Sequence, residues 1–82
     1  MDAKNPSIRR ACSLVGSQAK IARALGIAPP TVNQWISGAR PVPPERVLPI
    51  VRATHGRVTP YELRPDLYPD PDWMPPGLKR AT

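Results

Sequence analysis

The sequence predicts an all-α domain of four to five short helices followed by a Pro-rich, extended C-terminal tail. Three observations lead there. Apolar residues recur at helical spacing in short blocks through residue 64. Each block is bounded by a glycine, a proline or a small polar capping residue. Residues 65–82, in contrast, hold five prolines and three aspartates with almost no periodicity. At 82 residues the chain makes a single domain with a small core.

Taken in order, residues 1–5 are polar and expected to fray. Pro6 suits a first helical turn with Asn5 as N-cap, and Ile8, Ala11, Cys12 and Val15 mark one buried face, so the first helix spans about 6–15. Gly16 closes it in a left-handed conformation. Ser17 caps the second helix, whose inner face is Ile21, Ala22 and Leu25, and Gly26 supplies the positive φ of a tight turn. Pro29 and Pro30 fit only a loop or an opening turn, where a missing N–H costs nothing. Val32, Trp35 and Ile36 then turn one face of a third helix inward, and Gly38 ends it. Residues 39–43 form a rigid loop carrying Arg40. Pro43 and Pro44 open a fourth helix with Val47, Leu48 and Val51 inside and Gly56 at its end; Pro49 should kink it or leave its first turn irregular. Thr59-Pro60-Tyr61-Glu62 reads as a capping box for a short fifth helix, which Arg64-Pro65 stops. The natural division is therefore 6–64 as the helical domain and 65–82 as a tail, extended and partly disordered, in which Tyr68 and Trp73 could dock on the body or on a partner subunit.

Charge divides at the same place. Residues 1–64 carry ten Lys/Arg against three acids, while residues 65–82 carry two against three. A basic folded part favours a polyanionic partner, because each neutralised phosphate releases condensed counterions. No stretch approaches membrane-spanning length and no signal-peptide pattern opens the chain, so a cytoplasmic protein with no membrane role is expected. Cys12 is the single cysteine and sits on an apolar face, which suits a buried, inert thiol. His55 beside Gly56 interacts favourably with a helix C-terminus. One His, one Cys and widely spaced acids offer no catalytic constellation and no metal cluster, so no enzyme, cofactor or metal is expected.

Residues 18–37 meet the requirements of a helix-turn-helix together. Ala22 is the small residue at the helix crossing, Gly26 makes the turn, and Ile21, Leu25, Ile27, Val32 and Trp35 set the crossing angle. The segment GSQAKIARALGIAPPTVNQWISGARPVPPERV, with VTPYELRPDLYP after it, resembles the Cro/YdaS-type helix-turn-helix regulators of bacteria and their prophages, small relatives of the lambda-repressor-like fold. The resemblance covers roughly residues 6–70 and departs from the usual pattern at Pro29-Pro30 and Pro49. It implies an all-α domain that binds operator DNA, commonly as a homodimer, and regulates transcription; some members sit in toxin–antitoxin-like gene pairs.

By position, Thr31, Asn33, Gln34 and Ser37 match the exposed face of the recognition helix. Their chemistry agrees: Asn and Gln pair with the adenine N6/N7 edge, and Thr or Ser bonds bases or phosphates. Pro30 and Thr31 can also touch a thymine methyl. Ser17 and Gln18 lie where free N–H groups favour a phosphate, and Lys20, Arg40 and Arg46 flank the motif as charged phosphate contacts. Trp35 could be taken for a stacking platform, but its spacing from Val32 assigns it to the core. The expected function is a sequence-specific double-stranded DNA-binding regulator, a Cro-like repressor on a palindromic operator, nucleoid-associated when bound. A reading from another class is an antitoxin-type interaction module that neutralises a toxin or other partner protein through its tail, motivated by Tyr68, Trp73 and the Pro/Asp-rich segment.

Overall fold

A computed structural model describes residues 5–79. Five helices run in order: α1 Pro6–Val15, α2 Gln18–Leu25, α3 Pro29–Ser37, α4 Pro44–Ala53 and α5 Pro60–Leu63. No strand occurs among the described residues. The fraying expected of the N-terminus falls largely on residues 1–4, and the tail's last part on 80–82, both outside the described residues.

The helix starts use two devices. The Asn5 side chain accepts the Ile8 N–H, and the Ser17 hydroxyl accepts the Lys20 N–H. Thr59 and Glu62 form the reciprocal capping box at α5. In α3 and α4 no side chain caps the first turn; proline opens the helix instead. Gly26 takes φ 71°, left-handed, and lets the Ile27 N–H reach back to the Ala22 carbonyl at 2.9 Å.

The core gathers one face from each helix: Ile8 and Ala11, Ile21 and Ala22, Val32 and Trp35, Val47 and Ile50, Leu63. Helix α2 packs against α1, α3 and α4, so it lies at the centre of the bundle. Arg10, off the buried face of α1, pairs with Glu62 at 2.9 Å and donates to the Arg57 carbonyl, tying α1 to the start of α5. No helix among the described residues is long and apolar enough to cross a membrane.

Three expectations are corrected. In α4 the inner face is Val47, Ile50 and Val51, at i, i+3 and i+4; Leu48 is half-buried on the flank, one helical step round from Val47. That helix is continuous through Pro49, whose missing N–H is the one that would have reached the carbonyl of the exposed residue Glu45, and its first turn closes with a bond from the Arg46 N–H to the Pro43 carbonyl at 2.9 Å. It ends at Ala53 with Thr54 as C-cap, and the reversal is spread over His55 (φ 54°) and Gly56 (φ 81°), whose N–H bonds the Val51 carbonyl at 3.0 Å. The buried Thr54 hydroxyl fixes this turn by donating to the Val51 carbonyl and accepting the Val58 N–H. Thr54→Val keeps the shape and leaves that N–H unpaired, so we expect a loss of about 1–3 kcal/mol in urea unfolding. An unchanged midpoint would show that the N–H finds another partner.

The third correction concerns the tail. Residues 65–79 contain no helix, yet they pack on the body more widely than expected: Tyr68 docks there, one of its two expected placements, Met74 and Leu78 also lie against the core, and Pro75 is fully buried. The backbone crosses Gly56 so closely that a Cβ there would sit 2.6 Å from the Lys79 carbonyl oxygen and 3.1 Å from the Met74 methyl. Glycine at position 56 thus serves two needs, a left-handed turn and a passage for the tail.

Candidate nucleic-acid interface

Val32, Trp35 and Ile36 are all buried, and they fix the rotation of α3 about its own axis. The opposite stripe then follows from helix geometry. Pro30, Asn33, Gln34 and Ser37, at i, i+3, i+4 and i+7, are exposed along one face, and Thr31 is half-buried at its edge. The side chains of Asn33 and Gln34 make no hydrogen bond with the described residues, so both amides present a donor and an acceptor outward. Ser37 is partly engaged: its hydroxyl donates to the Gln34 carbonyl at 3.2 Å and accepts the Ala39 N–H at 3.3 Å, closing the end of α3.

The other sequence-selected residues divide similarly. Ser17 Oγ accepts the Lys20 N–H, which leaves its hydroxyl proton available to a phosphate oxygen. Gln18 Nε2 donates to the Pro29 carbonyl at 3.3 Å and so links the start of α2 to the start of α3. Lys20 is exposed, its stem lying over Gly16. Arg40 is exposed in the loop after α3, which is held by a bond from its own N–H to the Gln34 carbonyl at 3.2 Å. Arg46 points elsewhere: Nη1 donates to the Leu25 carbonyl at 3.0 Å, where it satisfies the C-terminal end of α2 and complements the helix dipole.

An open cleft of ≈470 Å³ lies beside α3, lined by Thr31, Gln34, Trp35, Arg40, Pro44 and Arg64. Arg64, like Arg9, Arg10, Arg52 and Arg57, has no role that the sequence alone assigns. Its guanidinium donates to the Val42 carbonyl at 2.6 Å and, through Nε and Nη2, to both oxygens of Asp66 at 2.9 and 2.6 Å. The hydrogen bond from Arg64 holds the Asp66 carboxyl below its ordinary range, and the same bond raises the guanidinium further. No spacing in the sequence signals the bond to Val42, which lies 22 residues away.

Two further groups sit away from the stripe. Burial pushes the Cys12 thiol up, with the Arg9 charge pulling partly back, which keeps it a protonated core residue. In the tail, Tyr68 and Trp73 stack with ring centroids 5.3 Å apart, and Trp73 and Leu67 remain 38% and 42% exposed.

Comparison with known proteins gives a consistent picture. The family model described as "Bacterial toxin YdaS" matches residues 8–72. A protein of Escherichia coli (strain K12) named "Putative transcriptional regulator YdaS" is 51% identical over 73 residues, covering 89% of this chain and 70% of that protein. Among solved structures, "the Cro protein from putative prophage element Xfaso 1 in Xylella fastidiosa strain Ann-1" superposes with a TM-score of 0.69 at 38% identity, covering 74% of this chain and 92% of that one. The five-helix architecture is thus a Cro-type helix-turn-helix fold, with α2 and α3 as its two motif helices.

Proposed function

The chain belongs to the Bacterial toxin YdaS family, and we propose that it is a sequence-specific double-stranded DNA-binding transcriptional regulator, a Cro-like repressor that reads a palindromic operator as a homodimer. The observation that carries this is the outward stripe Pro30, Asn33, Gln34 and Ser37 on a helix whose rotation is fixed from within by Val32, Trp35 and Ile36. The name of the Escherichia coli relative and the Cro structure support it. Asn33 and Gln34 read base edges in the major groove, with Thr31, Pro30 and the free valence of Ser37 at the flanks. Ser17, Gln18, Lys20 and Arg40 meet phosphates; Arg46 contributes charge from behind its bond to Leu25. Two copies read half-sites about 34 Å apart. In this reading the protein works in the bacterial cytoplasm, associated with the nucleoid when bound.

Selection from random duplex DNA tests the proposal. A palindromic consensus is the expected result, and no enrichment over the input pool would sink it. Arg40→Ala should weaken binding to every duplex alike and flatten the salt dependence by about one phosphate's share, a slope change of ~0.9. A loss confined to the selected site would instead make Arg40 a base reader.

One observation favours a second reading. Leu67 and Trp73 expose apolar surface on an acidic tail, as a protein-interaction module of antitoxin type would. Trp73→Ser separates the two: lost protein association with intact DNA binding supports the module.

A further inference from the structure

We propose that Arg64 and Asp66 are a positioning pair that holds the Arg40 loop against α3, so that sequence discrimination depends on a residue of the acidic tail; the inference rests on the DNA-binding reading above. The loop between α3 and α4 is residues 38–43. It is pinned at one end where the Arg40 N–H meets the Gln34 carbonyl, at 3.2 Å. At the other end the Val42 side chain is fully buried and its carbonyl takes the Arg64 Nη1 donor at 2.6 Å. Pro41 and Pro43 stiffen what lies between.

Arg64 cannot orient itself, because a guanidinium on a long stem has many rotamers. Asp66 removes that freedom with a two-point fork, the geometry in which a planar guanidinium is most strongly specified. The pair also neutralises itself, so Arg64 adds little net field to the cleft it shares with Thr31, Gln34 and Arg40. A paired cation in that place suits holding better than attracting. Exposed ion pairs contribute little to stability, whereas a fork that fixes a neighbouring loop acts through geometry. The working unit for DNA then extends past residue 64 into the tail.

Positioning and simple charge predict opposite signs for one substitution. Asp66→Asn adds a net positive charge beside the interface. If Asp66 only screened the field, the variant would bind every duplex more tightly, with a steeper salt dependence. Under the proposal its affinity for the selected site falls about fivefold to tenfold, the low end of losing one base-pair readout. Affinity for an unrelated duplex of equal length stays within about twofold, because Arg40 keeps its charge for any phosphate and loses only its fixed placement beside α3. Arg64→Lys keeps the cation and loses the fork, so it should give the same loss, and the double variant should lose no more than either alone.

Binding is measured at two salt concentrations and at a temperature where circular dichroism shows each variant folded. Should Asp66→Asn melt below that temperature, Arg64→Lys carries the test. Amide hydrogen exchange of Arg40 in DNA-free protein supplies a readout that needs no ligand, and it should quicken in both variants relative to the core amides. Tighter binding to both duplexes, additive losses in the double variant, or unchanged Arg40 exchange would each overturn the pair's role. A wild-type chain that fails to distinguish the duplexes strikes the DNA-binding reading instead, while the exchange measurement still judges the pair.

Discussion

Trp35→Ala should leave the chain largely unable to hold α3. The side chain is 3% exposed and lies in a core that an 82-residue chain cannot make large. Truncating a buried tryptophan costs about 3–5 kcal/mol, against roughly 5–15 kcal/mol of total stability for a domain. A thermal midpoint lower by on the order of 20 °C is the expected reading in circular dichroism. DNA binding should disappear with the fold, and Trp35→Phe should recover part of both. A stable variant that nevertheless lost DNA would assign Trp35 to base stacking, contrary to its burial. A midpoint lower by only a few degrees would mean that Val32 and Ile36 suffice to seat the helix.

Gln34→Ala should act in the opposite way, changing recognition and leaving stability alone. The side chain is exposed and makes no hydrogen bond with the described residues, so the cost in folding should stay within about 0.5 kcal/mol. The Gln34 carbonyl, which holds the Arg40 N–H and the Ser37 hydroxyl, is untouched by the substitution. Discrimination at one base pair should fall by about 1–3 kcal/mol, roughly fivefold to 150-fold, with the other positions of the site unaltered. Repeating the duplex selection with the variant checks this. An identical consensus would remove Gln34 from the reading residues.

Helix boundaries were legible because the chain marks them locally. Asn5-Pro6, Ser17, Gly26, Pro29-Pro30 and the Thr59–Glu62 box each act within a few residues of where they stand. The exposed stripe on α3 was legible for a related reason: once Val32, Trp35 and Ile36 are inside, helix geometry determines what is outside. Bonds that long side chains make across the fold left no such mark. Arg46 to Leu25 spans 21 residues, Arg64 to Val42 spans 22, and Arg10 to Glu62 spans 52. Neither charge nor periodicity distinguishes those arginines from Arg40. In the tail the docking of Tyr68 was legible from an aromatic ring in a polar segment, but Met74, Pro75 and Leu78, an irregular set on a proline-rich backbone, carry no period that marks them. In α4 the apolar run Val47, Leu48, Ile50, Val51 fits two neighbouring rotations of the helix, and the fold takes the one with Ile50 inside.

Four of the five helices begin with proline, at Pro6, Pro29, Pro44 and Pro60. Their rings make the denatured chain stiffer just where each helix must later start, with φ already near its helical value. A proline at a compatible site stabilises by about 0.4–1 kcal/mol through the conformations it denies the denatured ensemble. Replacing any of the four by alanine would therefore lower stability beyond what lost native contacts account for. Part of what keeps so small a domain folded lies in the shapes its unfolded form cannot visit.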